Sequence, residues 1–201
     1  MPRGPRHAPP GSFSHVTNRG NDKRRIFFSD DDYRGFLYRL EFAKRRYPVT
    51  LHGLCIMPNH FHAVMQPTEE GALSAYLQWV AGNYASDLRS MMGTTGQGHV
   101  FQGRFWNDCI KGERHFLRVL RYVEANPHVS HLVERAEDWP WSSLVLRNKP
   151  NSLLDPLPVT LPADWSRLVN EAQPAEELRR IEKPMKRGRP RTARIEIDAL
   201  S

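Results

Sequence analysis

The sequence predicts an α+β fold, a ferredoxin-like β-α-β-β-α-β sandwich built on an antiparallel sheet. One added helix and a C-terminal extension complete it. Three observations carry this expectation. Strand-like stretches fall at 13–17, 49–57, 60–66 and 100–110. Two segments with apolar residues at helical spacing interrupt them, in the positions the split β-α-β-β-α-β plan requires. A third helical segment, 113–126, follows the last strand as an addition.

Phe13-Ser14-His15-Val16-Thr17 reads as the first strand, and Asn18-Arg19-Gly20-Asn21 breaks it with turn residues. Ser29 then offers a helix cap, and Asp30, Asp31 and Asp32 place acids in the first turn. Tyr33, Phe36, Leu37, Leu40, Ala43 and Tyr47 form the apolar stripe of that helix, and Pro48 stops it. The mostly apolar strand 49–57 meets a tight turn at Pro58-Asn59, and 60–66 returns as its partner. Pro67-Thr68-Glu69-Glu70 opens the second helix, whose stripe is Leu73, Leu77, Val80, Tyr84 and Leu88. A Gly/Thr-rich loop at 93–98 precedes the strand 100–110, which carries Gly103. The third helix is expected to end at Asn126, because Pro127 disfavours helical angles in the residue before it. The helices of the sandwich are expected on one face of the sheet.

Residues 1–11 read as disordered, 12–147 as the catalytic-type domain, 148–182 as a linker with a short helix, and 183–201 as a basic tail. The chain has 201 residues, 39% hydrophobic and 25% charged, which is enough for one compact domain with extensions. Lys and Arg number 29 against 22 Asp and Glu, a net charge of +7. That balance favours an anionic partner, nucleic acid being the commonest, with a merely solvated basic surface as the plainer reading. Cys55 and Cys109 form no C-x-x-C pair, which argues against a zinc ribbon or disulfide scaffold and fits a reducing compartment. No apolar run approaches the roughly 20 residues of a membrane span. The first residues lack the apolar core of a signal peptide, so the cytoplasm is the expected location and no membrane association is expected. Neither a Walker motif nor a phosphate-cradling Gly-rich loop points to a nucleotide cofactor.

Two patterns can carry chemistry. In Pro58-Asn59-His60-Phe61-His62, alternation along a strand sends His60 and His62 to one face and Phe61 to the other. Two imidazoles one pleat apart can chelate a divalent cation and leave positions open for substrate oxygens, although exposed His pairs on strands are also common. The second pattern is Tyr122 with Asn126, four apart and so on one helix face. An Asn amide oxygen is a hard ligand suited to Mg²⁺ or Mn²⁺. The plainer alternative is a tyrosine that caps the core and an asparagine that ends the helix.

His60-Phe61-His62 followed by a helix bearing Tyr-x-x-x-Asn-Pro resembles the HUH single-tyrosine (IS200-like) transposases, and most of all their REP-associated branch. The stretches His15-Val16-Thr17-Asn18-Arg19-Gly20-Asn21, Phe101-Gln102-Gly103-Arg104-Phe105 and Trp139-Pro140-Trp141-Ser142-Ser143 are similar to further motifs of the family, in the same order. The resemblance covers 12–147. It implies that His60, His62 and Asn126 hold Mg²⁺ or Mn²⁺ and that Tyr122 is the nucleophile. It also implies single-stranded or hairpin DNA as the partner, and the REP-associated branch suggests a monomer over a homodimer.

An ordinary phenol ionises only near pH 10, so attack at neutral pH needs help from nearby cations or the field of a metal. A 5′-phosphotyrosine would keep the bond energy for later strand joining. Arg19 and Asn21, with Lys23, Arg24 and Arg25, cluster after the first strand, and Arg104 and Lys111 flank the last; these are the candidate DNA contacts. Phe105 or Trp106 can stack on a base or belong to the core. Arg187 and Arg189 lie in Lys186-Arg187-Gly188-Arg189-Pro190-Arg191, similar to an AT-hook core but equally a tail for non-specific binding. Two other functions compete with the nuclease. One is a structured-DNA-binding module without cleavage, and the other is an unrelated metal-dependent hydrolase whose cleavage survives loss of Tyr122.

Overall fold

The computed structural model describes residues 8–96, 98–150 and 152–181. The expectations for residues 1–7 and for the basic tail, Arg187 and Arg189 included, lie outside these residues. The strands are β1 (Ser14–Arg19), β2 (Val49–Met57), β3 (His60–Pro67) and β4 (Trp106–Cys109). Their order in the sheet is β2-β3-β1-β4, with every neighbouring pair antiparallel, as the β-α-β-β-α-β plan demands. The helices are α1 (Asp30–Lys44), α2 (Ala72–Met91), α3 (Gly112–Val129), α4 (Ser143–Leu146), α5 (Trp165–Asn170) and α6 (Ala175–Ile181).

The sequence explains why α1 starts where it does. The Asp32 carboxylate accepts from the Phe28 and Ser29 amides at 2.7 and 2.9 Å, and the Ser29 hydroxyl accepts from the Asp32 amide, a complete capping box. Phe36 and Leu40 of α1 and Leu73, Leu77 and Val80 of α2 join Val16, Leu54, Phe61 and Ala63 in one buried core. Tyr76 and Tyr84 sit in that core and satisfy their hydroxyls on the carbonyls of Leu40 and Ile26.

The added helix α3 covers the opposite face. Phe116, Val119, Leu120 and Val123 pack there with Cys55, Met57 and Val64 in a second buried core. Gly53 on β2 permits the close approach: a Cβ at that position would lie 2.6 Å from a Leu120 methyl. The two faces of β3 are thereby sorted, with Phe61 and Met65 under α1 and α2 and Val64 under α3.

Two expectations need correction. The last strand does not run over 100–110. Phe101 makes a single bridge to Gly20, residues 102–104 are exposed and irregular, and regular pairing begins only at Trp106. Gly103, at φ +149, has left the backbone region of the other residues. Nor does Pro127 end α3, which continues to Val129 with Pro127 buried inside it. Pro127 has no amide to donate, yet the turn beyond it is kept by the Ser130 and Leu132 amides, which donate to the Asn126 and Pro127 carbonyls at 2.9 Å each. Residues 8–11 also have defined places, with the Gly11 amide donating to the Pro67 carbonyl.

Several of the described residues beyond 142 are bound to α3. Glu124 is fully buried and accepts from the Ser143 hydroxyl (2.5 Å), Arg147 (3.1 Å) and the Trp165 indole (2.7 Å). Trp165 and Val169 of α5 and Ile181 of α6 enter the second core. Arg118 pairs with Glu177 at 3.1 Å, so the outer side of α3 is held as well. Glu124→Ala would leave Arg147 with only the His52 carbonyl and orphan the Ser143 and Trp165 donors. The expected cost is about 3 kcal/mol, the lower end for a broken buried pair because Arg147 keeps some solvent contact. A lower urea midpoint for Glu124→Ala than for Glu124→Gln, which keeps shape and acceptor, checks this. Among the described residues, no helix is long and apolar enough to cross a membrane.

A candidate DNA-processing site on the helix-covered sheet face

The register of β1 against β3 builds the site. Arg19 lies opposite His60, Thr17 opposite His62 and His15 opposite Val64, so these side chains alternate onto the face that α3 covers. His60 and His62 are together, ring centroids 4.9 Å apart and nearly perpendicular. Tyr122, on α3, presents its ring edge-on to His62 at 5.4 Å. The paired histidines of one strand and the tyrosine of the covering helix thus converge within one chain. The structure adds a residue the sequence reading did not single out: His15. Its ring stacks on His62 at 5.2 Å and meets Tyr122 and Trp106, each at 5.7 Å.

Burial sets the protonation of the cluster. It holds His60 and His15 down at about 4, and pushes His62 well below the usual imidazole range. The Arg19 charge adds to the effect on His60 and on His62, whereas Asp108, opposite His15 on β4, works weakly against it. All three rings are therefore neutral near pH 7 and keep a nitrogen lone pair, the state a metal ligand needs.

Asn126, half-buried one turn beyond Tyr122, donates its amide nitrogen to the Tyr122 carbonyl at 2.7 Å, which leaves its amide oxygen as the atom able to ligate. Two neutral imidazoles and an amide oxygen are a donor set that suits a divalent cation with open positions. Among the described residues, no group of three or more His, Cys, Asp or Glu side chains is placed to hold a metal by itself.

The other candidates spread around this centre. Arg19 is beside it at the end of β1. Asn21 begins a tight turn in which Asp22 and Lys23 take left-handed backbone angles. Gly20 makes that turn possible, since a Cβ there would sit 2.3 Å from the Arg24 carbonyl. Lys111 is exposed and caps α3, its amide donating to His115. Arg104 is exposed and lies away from the histidines. It lines an open cleft of about 1240 Å³ with Gln78, Arg89, His99, Phe101 and Phe105. Phe105 is buried and so belongs to the core, while Trp106 is half-buried against His15.

A ferredoxin-like sheet that sets an H-x-H strand against a tyrosine on a covering helix defines the HUH single-tyrosine class. Within it, the chain belongs to the IS200-like transposase family, whose model matches residues 13–126. A Haemophilus influenzae protein (strain Rd), provisionally named a REP-associated tyrosine transposase, is 27% identical over 108 residues. That match covers 48% of this chain and 60% of the relative's own length. The fold is similar to that of a REP-associated tyrosine transposase solved bound to a REP hairpin, with TM-score 0.60 and 18% identity over 81% of this chain and 96% of the other. A provisional transposase of Deinococcus radiodurans R1 matches with TM-score 0.42 and 16% identity, over 62% of this chain and 96% of that one.

Proposed function

We propose that the chain is a metal-dependent endonuclease and strand transferase for single-stranded DNA, acting beside hairpins or palindromic repeats. The observation that carries this reading is the convergence of Tyr122 with His60 and His62 in one chain. Membership in the IS200-like family supports it, and so does the fold shared with a transposase solved on a REP hairpin. Assembly of the site within a single chain favours action as a monomer.

In this reading the Tyr122 hydroxyl attacks the phosphorus of the scissile phosphodiester. An O–P bond to tyrosine forms, the P–O3′ bond breaks, and the departing 3′ oxygen takes up a proton. The 5′-phosphotyrosine keeps the bond energy, so the 3′-OH of another strand can reverse the step and join DNA without ATP. His60, His62 and Asn126 would hold Mg²⁺ or Mn²⁺, and the chemistry the cation would supply there is Lewis-acid polarisation of a phosphate oxygen. Neutral ligands leave the cation its full charge for that purpose. Arg19 and Asn21 at the rim of the site, with Lys111 and Arg104, contribute phosphate contacts.

A labelled hairpin oligonucleotide with a single-stranded flank, incubated with the full chain and Mn²⁺, tests this. The expected result is a protein–DNA adduct that survives denaturing electrophoresis. Hairpin binding without any adduct would instead make the chain a structured-DNA-binding module.

A further inference from the structure

His15 has no part in the chemistry above, yet it is the histidine most firmly tied to the site. It is 3% exposed, and its Nε2 lies 3.0 Å from Nδ1 of His62 with the two rings stacked. One proton occupies such a nitrogen–nitrogen contact, so one ring donates and the other accepts. The neighbouring histidine indicates which way round the pair is arranged. Asn59 gives its amide nitrogen to the Lys23 carbonyl at 3.0 Å, which turns its amide oxygen toward Nδ1 of His60 at 2.6 Å. Nδ1 of His60 must then carry the proton, and Nε2 is its lone-pair nitrogen. If His62 ligates in the same manner, its proton also sits on Nδ1, and His15 is what receives it.

We infer that His15 is a positioning residue: its Nε2 accepts the Nδ1–H of His62 and fixes the tautomer and ring orientation that present Nε2 of His62 as a ligand. The inference rests on the metal-dependent reading above. It gives both ligand rings an outer partner, Asn59 for His60 and His15 for His62, of the kind that raises ligand basicity and holds the ring still.

Mn²⁺ titration of the full chain, followed by electron paramagnetic resonance, tests it on four proteins. Relative to wild type, His15→Leu should weaken Mn²⁺ binding about 10- to 100-fold, the usual loss when an outer partner of a ligand is removed. His15→Gln can place an amide oxygen near the same point and should stay within about threefold. His62→Ala should abolish binding. Nitrogen-resolved NMR of wild type without metal should find His62 protonated at Nδ1. Wild-type affinity in His15→Leu beside a loss in His62→Ala overturns the role of His15 alone, as does a Gln variant no better than Leu. Wild-type affinity in His62→Ala overturns the metal reading and this inference together. Should His15→Leu not fold, a His62 proton found on Nε2 in wild type overturns the inference by itself.

Discussion

Tyr122→Phe is expected to bind hairpin DNA with wild-type affinity and to lose cleavage by at least about 10³-fold, as enzymes do when a nucleophile is removed. The substitution deletes one oxygen. The ring, which packs edge-on to both His15 and His62, stays in place. No other tyrosine is positioned to take over. Tyr33, Tyr76 and Tyr84 are buried in the core on the far side of the sheet, Tyr47 is half-buried against that same core, and Tyr38 is exposed on α1. Burial also raises Tyr33 to about 12 and lifts Tyr76 and Tyr84 beyond that, so none of them supplies a phenolate. Mass spectrometry of the digested adduct is the decisive measurement. A nucleotide on any tyrosine but Tyr122, or cleavage by the Phe variant at the normal rate, defeats the mechanism.

The double change His60→Ala, His62→Ala should abolish metal-dependent cleavage outright, since it removes two of the three proposed protein ligands. Its effect on stability should be modest but real. Nε2 of His15 loses its partner inside the sheet face, an unsatisfied buried group that costs about 1–3 kcal/mol. Cleavage assayed across a Mn²⁺ series, alongside a urea melt, separates the two effects. A double variant that folds and still cuts at the wild-type rate would remove these histidines from the reaction.

Local rules made much of this legible from the sequence. Ser29 and Asp32 announced the α1 cap, the apolar spacing of 73–88 gave α2, and alternation placed His60 and His62 on one face. The departures have physical causes. A run such as 100–110 looks strand-like residue by residue. Pairing nevertheless fails where Gln102, Gly103 and Arg104 turn out to solvent, and strand pairing is a property of neighbours rather than of the run itself. Pro127 does not end α3: it lies buried within the helix, and the following turn closes on the Asn126 and Pro127 carbonyls. His15 escaped notice for a related reason. Its alternation was visible, but its partner is set by β1 lying beside β3 in the sheet order, and only the pairing puts residue 15 diagonal to residue 62. The same holds for Glu124, an acid on an apolar helix whose three partners come from 19 to 41 residues downstream.

During synthesis, then, Glu124 leaves the ribosome before any group that can receive it. At a translation rate of about 5–20 residues per second, Trp165 follows roughly 2–8 seconds later. Ser143 and Arg147 reach the Glu124 carboxylate first, 19 and 23 residues on, and Trp165 completes its set of partners 41 residues on. The histidine strand is thus made well before the downstream residues that anchor the tyrosine helix. The proposed nucleophile, Tyr122, rides on a helix whose last anchor arrives only when most of the described chain has been made.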